Sequence, residues 1–388
     1  LERHTTIGGL NSFYRLRGRN YDVGLHAVTN YAPPGTRTGP LAKLLKQLRL
    51  RWEDFDLTPQ NGSAVVFPGH RLDFANDFDA FVTAVCTEFP HQSDRFRRLV
   101  ARIEAFDELN LTQTPLSARA VLAEVLSDPL LIDMLFCPLM FYGSPIPNDM
   151  DFSHFCVMFR SIFQQGFGRP LEGVRRILSR LTRHYKALGG ELKLRCGVRE
   201  IMVRNGRAVG AITDDGREIE ADNLLSSAGL AETYALCGEA VPQPSPVHGE
   251  ISFNEAIFVL DRPPTDLGHH ETIVFYNDAD QFTYAPPHEP CDLRSGIICS
   301  PNNFRYADGA TLDANMIRMT GLAHPDYWRG PPDDDYYAEE AAWAASIAAR
   351  EPGAADDSPR TEPAYDVAVP LPSPSQFATF APYFCHPE

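Results

Sequence analysis

From Leu41 the hydrophobic positions recur at helical spacing, with Leu41, Leu44, Leu45 and Leu48 on one face. Ala64–Phe67 and Arg71–Phe74 read as two strands around the turn Pro68-Gly69-His70. Helical periodicity returns from about Phe78 to Glu104 and again from Ser117 to Phe136. Asn148-Asp149 then introduce a Phe- and Met-rich helix through Phe163. Pro170-Leu171-Glu172-Gly173 opens an amphipathic helix whose Val174, Ile177, Leu178, Leu181 and Tyr185 share a face, and Gly189-Gly190 ends it. A strand over Glu191–Val198 follows. After it comes a hairpin, Glu200–Arg204 and Ala208–Thr213, because Asn205-Gly206 between alternating apolar runs favours the tight hairpin turn. Asp214-Asp215-Gly216 leads on to Glu218–Ala221 and a buried apolar strand, Asn223–Ser227. Ser252–Leu260, Glu271–Asn277 and Gly296–Ser300 are further strands. Tyr21–Thr29 reads as a short strand running into a glycine-hinged loop. Residues 1–9 read as a strand end and a turn, which implies a partner strand upstream of Leu1.

Length and composition bound this picture. A chain of 388 residues is long for one core, so two packed domains are expected. At 44% hydrophobic and 22% charged residues it is ordinary globular text. A net charge of -16 argues against nucleic acid, since phosphate binding needs a basic surface. The first fifty residues are locally basic, with Arg15, Arg17, Arg19, Arg37, Lys43, Lys46 and Arg49. A solvated surface is the plainer reading of that face, and anionic lipid or cofactor phosphate the other. Beyond Gly330, Ala, Pro and Asp dominate, and poor order is expected apart from a helix near Tyr336–Ala349. None of the eight cysteines stands at C-x-x-C spacing, which fits buried thiols in a reducing cytoplasm. His269-His270 are adjacent, so a strand points them to opposite faces and a shared metal is not expected. The longest apolar stretch, Pro129–Tyr142, is interrupted by Asp133 and Pro138 and does not span a bilayer.

The candidate chemistry starts at the first residues. In a dinucleotide-binding unit the second strand ends in an acid that holds the adenosine ribose, about twenty residues after a glycine turn. Glu2 would be that acid, and no Gly-x-Gly-x-x-Gly occurs in the chain. Glu2, then Gly8-Gly9, then Asn20-Tyr21-Asp22-Val23-Gly24-Leu25-His26 resembles the opening of the phytoene desaturase, carotenoid isomerase and retinol saturase family of FAD-dependent oxidoreductases. Gly168-Arg169-Pro170-Leu171-Glu172-Gly173 is similar to that family's entry into the helix after its substrate domain. Cys196-Gly197-Val198-Arg199-Glu200-Ile201 resembles its adenine-side strand, and Ala221 to Gly229 its small-residue strand end beneath the cofactor. Relatives often carry a basic residue just after the double glycine, where this chain has Leu10.

The resemblance covers roughly residues 1 to 330 and implies an α+β fold: a truncated FAD-binding Rossmann-like domain of the glutathione-reductase type with a discontinuous, mixed helix/sheet substrate domain. The first would comprise residues 1–35 and 168–240, and the second 36–167 and 241–330. Residues 331–388 would form a poorly ordered or atypical tail, lacking the family's closing flavin motif. FAD would be held by Glu2, Gly8, Gly9, Gly24, Val198, Ala228 and Gly229. His26 would lie beside the flavin, either as a proton shuttle or as a packed histidine. Arg160 and Arg169 are candidates to hold cofactor or quinone. Phe141, Tyr142, Phe159, Phe163 and Phe167, with Phe155, have the spacing of a core stripe, and in this family such stripes also line a polyene tunnel. The implied reaction is desaturation of a phytoene-like polyisoprenoid by hydride transfer to flavin. Cis–trans isomerisation and retinoid saturation use the same framework, and a non-catalytic truncated remnant without bound FAD is the alternative from another class. No metal or nucleic acid is implied. The expected location is the cytoplasm, with peripheral contact at a membrane surface, where the apolar substrate resides.

Overall fold

The computed structural model describes residues 1–240 and 251–328, apart from positions 17, 25, 109 and 111, and the backbone of the strand Phe377–Tyr383. The chain divides into two compact units, Leu1–Gly24 with Gly173–Gly249, and Leu25–Glu172 with Glu250–Glu388. His26 therefore belongs to the second unit, whereas Gly24 belongs to the first.

In the first unit, Phe13–Leu16 and Arg19–Asp22 form an antiparallel hairpin that alternation alone did not reveal. The amphipathic helix runs Val174–Ala187, and only Val174 of its apolar face is fully buried. Val198–Arg204, Arg207–Thr213 and Glu218–Glu220 form the expected meander. Asn205 and Gly206 both take positive φ, 53° and 72°, as a two-residue hairpin turn requires. Two expectations fail here. Residues 191–197 are not a strand; pairing begins only at Val198. Asn223–Ser227 lies outside any strand, and Leu225 is 98% exposed. Among the described residues no strand pairs with that segment. Residues 1–8 are not a strand either. They are stitched to the meander's approach by Glu2 N–H to Lys193 O (2.9 Å), Cys196 N–H to Glu2 O (2.8 Å) and Arg195 N–H to His4 O (3.0 Å).

The second unit is built on a seven-stranded mixed sheet. Its order is Phe377–Tyr383, Ser252–Leu260, Asn315–Ala323, Ser295–Cys299, Ile273–Asn277, Ser63–Phe67 and His70–Phe74. Every pair is antiparallel except Ile273–Asn277 against Ser63–Phe67. The strand Phe377–Tyr383, from the stretch expected to be a poorly ordered tail, pairs with Ser252–Leu260. The expected helix near Tyr336–Ala349 lies outside the described residues.

Both faces of the sheet are covered. One carries Ala64, Val66, Phe258, Val274, Ile298 and Met319. The other, with Val65, Leu72, Phe74, Phe275 and Ile297, packs against the helices Phe78–Glu88, Ser93–Ala105, Ala118–Val125, Pro129–Met140 and Phe152–Phe159. The helical text expected over 78–104 and 117–136 is broken at Pro90 and Pro129. Each proline opens the next helical segment, where its missing N–H costs nothing. Asp77, Ser117, Asp128 and Asp151 cap four of these five helices, all but Ser93–Ala105, by accepting from backbone N–H groups.

Candidate functional site

The seven residues expected to hold FAD all fall in the first unit, in three small groups, whereas Arg160 and Arg169 fall in the second. Gly8 and Gly9 have positive φ and lead the short turn Gly9–Asn11. Gly24, at φ +62°, packs on that same loop: a Cβ there would lie 2.7 Å from Leu10 O, so only glycine lets the chain pass. Val23 N–H donates to Ser12 O at 2.9 Å and closes the approach. Glu2 and Val198 form a second group. Glu2 Oε1 accepts from His4 N–H at 2.9 Å, while Arg3 donates to Val198 O and Asp214 Oδ1, both at 3.1 Å. The contacts of Ala228 and Gly229 are local. Ala228 N–H reaches Ser226 Oγ at 3.4 Å, and Gly229 precedes the helix Leu230–Leu236 at φ +106°.

His26, in the second unit, belongs to a buried polar cluster that the sequence did not assemble. Strand register explains it. Glu255 stands opposite Thr320, and Arg318, two residues away on the same face, stands opposite Cys299. Arg318 grips the Glu255 carboxylate with both arms of its fork, Nε donating to Oε1 at 2.9 Å and Nη2 to Oε2. His26 Nε2 lies 3.2 Å from the same Oε1 and 3.3 Å from Thr320 Oγ1. Arg169 reaches the His26 backbone carbonyl at 3.4 Å. It is brought there by the Val28–Gly168 bridge, whose two backbone bonds measure 2.8 and 2.9 Å. Glu255, Arg318 and Arg169 are all buried. Burial pushes the neighbouring Cys299 thiol up to about 12, with Arg318 and Arg169 pulling it down and Glu255 adding to the rise. That thiol is inert at neutral pH.

Arg160, the other arginine candidate, is a structural clamp. It donates to the carbonyls of Ile103 and Phe106 at the end of one helix and pairs with Glu108. That arrangement satisfies orphan carbonyls and leaves the guanidinium committed to the fold.

The aromatic stripe divides. Phe159, Phe163 and Phe167 are fully buried, and Phe141 is buried as well. Phe163 stacks on Phe81 with ring centroids 4.3 Å apart, and lies 5.2 Å from Phe74 and 5.3 Å from Phe159. Phe141 packs between Phe253, Phe282 and Tyr284. That is core packing, in which Phe159, Phe163 and Phe167 have no accessible surface and Phe141 has little. Tyr142 differs. It is 41% exposed, yet burial raises its phenol well above the ordinary value, with a smaller contribution from Cys299.

No group of histidine, cysteine or acidic side chains suited to a metal ion occurs among the described residues. None of their helices is long and apolar enough to cross a membrane. Glu255, Thr320 and Arg318 were missed because a lone charge in an apolar strand reads as a solvent-facing position. The only available signal was that the neighbours on both faces of Asn315–Ala323 are apolar.

A model of the family described as flavin containing amine oxidoreductase matches residues 1–290. The chloroplastic prolycopene isomerase of Arabidopsis thaliana is 20% identical over an alignment of 388 residues, covering 90% of this chain and 63% of its own length. The lycopene-forming phytoene desaturase of Pseudescherichia vulneris is 26% identical over 317 residues, covering 71% of this chain and 61% of its own. The chain thus spans less than two thirds of the length of these relatives. Among solved structures, an oxidoreductase from Methanosarcina mazei matches with a TM-score of 0.59 at 17% identity, over 89% of this chain and 76% of that one. A Pyrococcus furiosus protein matches with a TM-score of 0.56 at 16% identity, over 89% and 77%. These structural likenesses bear on the fold alone. The family match, covering about three quarters of the residues, bears on the chemistry. The chain belongs to the flavin-containing amine oxidoreductase family, a family of flavin-dependent oxidoreductases, and its relatives there include prolycopene isomerases and a phytoene desaturase.

Proposed function

We propose that the protein is an FAD-dependent desaturase acting on a phytoene-like polyisoprenoid, with FAD held by the first unit and the polyene by the second. The observation that carries this reading is the similarity to a phytoene desaturase and to prolycopene isomerases along most of the chain.

The residues of the first unit fit a flavin nucleotide. A fused aromatic ring system needs uncovered apolar surface and a backbone it can approach closely. Gly9 is exposed with open space over its Cα, and Leu10 beside it is 68% exposed. Glu2, Gly8, Gly9, Gly24 and Val198 would hold the nucleotide together with Ala228 and Gly229, the carboxylate of Glu2 accepting from a ribose hydroxyl. A bound flavin supplies the hydride acceptor that removal of hydrogen from a saturated carbon pair requires. The chain's own residues exclude water and handle the accompanying proton, for which His26 is the candidate; a single residue separates it from Gly24 along the chain. Tyr142, the exposed ring of the aromatic stripe, would face the substrate on this reading. A polyene offers no polar handle, so the site is apolar along its length and open toward lipid, with the protein in peripheral contact with the membrane.

The test is to incubate FAD-loaded protein with phytoene-bearing liposomes and measure product mass. Loss of hydrogen pairs identifies desaturation. Unchanged mass with a shifted absorption spectrum identifies isomerisation, the second reading, which the several prolycopene isomerases among the relatives favour. A gain of hydrogen identifies saturation. Absence of any flavin binding and any product would favour the non-catalytic alternative. Glu2→Ala is expected to weaken FAD binding by about 1–3 kcal/mol, the scale of one charged hydrogen bond. An unchanged dissociation constant in fluorescence titration removes Glu2 from the site.

A further inference from the structure

The geometry points to Glu255 and Arg318 as positioning residues that fix the tautomer of His26, an inference that rests on the reading of His26 as the proton-handling group. A carboxylate is an acceptor only, so the ring nitrogen facing Glu255 Oε1 at 3.2 Å must carry hydrogen. In the neutral imidazole this places the proton on Nε2 and makes Nδ1 the basic nitrogen. Thr320 Oγ1, 3.3 Å from the same nitrogen, can accept from it as well.

What holds the carboxylate is as important as the carboxylate itself. Arg318 engages both oxygens of Glu255 from the adjacent strand, which fixes the plane of the carboxylate and the lone pair offered to His26. The charged and titratable groups of the cluster come from separate segments. Glu255 is on Ser252–Leu260, Arg318 on Asn315–Ala323, Cys299 on Ser295–Cys299, and Arg169 on the short strand Gly168–Arg169. Arg169 holds the His26 backbone through its carbonyl, so main chain and ring are fixed independently.

A buried ion pair with this geometry is a poor stabiliser, because desolvation offsets most of its attraction. Its effect here is orientation. On the proposed reading a bound flavin would supply the hydride acceptor, and the imidazole of His26 would hold the accompanying proton. Nε2–H stays on Glu255 and stabilises the imidazolium that forms. The electron pair of the second broken C–H bond becomes the new double bond, so charge and atoms balance.

The experiment uses the full chain with ¹⁵N-labelled histidine and reads the tautomer of each neutral ring from two- and three-bond ¹⁵N–¹H correlations, with His26→Gln to assign the signal. Wild type should show the Nε2–H form. Glu255→Gln should shift His26 toward a tautomer mixture. Because that variant leaves Arg318 buried against an uncharged partner, the double variant Glu255→Leu/Arg318→Met, which replaces the pair by packing groups, guards against simple unfolding. In FAD-loaded protein both variants should lose at least tenfold in kcat with little change in KM. An Nδ1–H form in wild type, an unchanged tautomer in the folded double variant, or a tautomer change without loss of kcat would each overturn the inference. If wild type transforms no polyene at all, the substrate reading fails, and the tautomer result alone decides whether Glu255 and Arg318 position His26.

Discussion

Phe163→Ala is expected to lower the unfolding free energy by about 3–5 kcal/mol, the cost of deleting a fully buried aromatic ring whose neighbours collapse only in part. The ring has no accessible surface and stands among Phe81, Phe74 and Phe159, with the tight stack on Phe81 at 4.3 Å. These partners come from a strand and two helices, none of which can move without disturbing the sheet. Phe163→Asp should go further and prevent the second unit from folding, since an unpaired carboxylate there has no hydrogen-bond donor to compensate its desolvation. Urea unfolding followed by far-ultraviolet circular dichroism measures both. A loss below about 1 kcal/mol for Phe163→Ala, small for a filled core site, would show that the ring faces a hollow, as a tunnel-lining residue does. In that case Phe163→Asp would fold, keep its flavin spectrum and lose turnover.

The second large effect is an acid-sensitive histidine. His269 has no accessible surface, and burial pushes its imidazole down to about 4, against partial compensation from Glu271. A base whose folded value lies below its unfolded value of about 6.5 stays neutral in the fold while the unfolded chain takes up a proton. Its titration therefore takes nothing from stability above that pH, and stability falls progressively between about pH 6.5 and 4. The loss amounts to about 3 kcal/mol from this group, at about 1.4 kcal/mol per pH unit. His269→Leu should abolish that component. Glu271, half-buried and bonded to Arg71, is held below the ordinary carboxylate value and contributes its own loss at acid pH. The informative quantity is therefore the difference between wild type and variant, read from urea midpoints at pH 7 and pH 4.5. Parallel acid limbs in the two proteins would show that His269 protonates freely in the fold.

Much of the local architecture is legible in the residues themselves. The Leu41 helix, the Val174–Ala187 helix and the Asn205-Gly206 hairpin rest on periodicity and turn chemistry, which act over a few residues and leave their mark in them. The glycine positions are legible for the same reason, because Gly24 must pass within van der Waals reach of Leu10 O whatever lies elsewhere. The family, too, was readable from the order of short motifs.

What the residues alone did not decide is where a strand finds a partner. Asn223–Ser227 has the apolar text of a buried strand and yet is unpaired, because a strand exists only by hydrogen bonds to a neighbour that the segment does not itself encode. Asn315–Ala323, broken up by Arg318 and Gly321, is nevertheless central to the sheet, because strands on both sides supply its ladder. The His26 cluster is likewise tertiary. Glu255 and His26 stand 229 positions apart along the chain, and only the register of Ser252–Leu260 against Asn315–Ala323 brings carboxylate, guanidinium and imidazole within hydrogen-bond reach. The aromatic stripe shows the same limit: core packing and tunnel lining require identical residues at identical spacing, and only the positions of Phe81 and Phe74 decide which of those rings are enclosed.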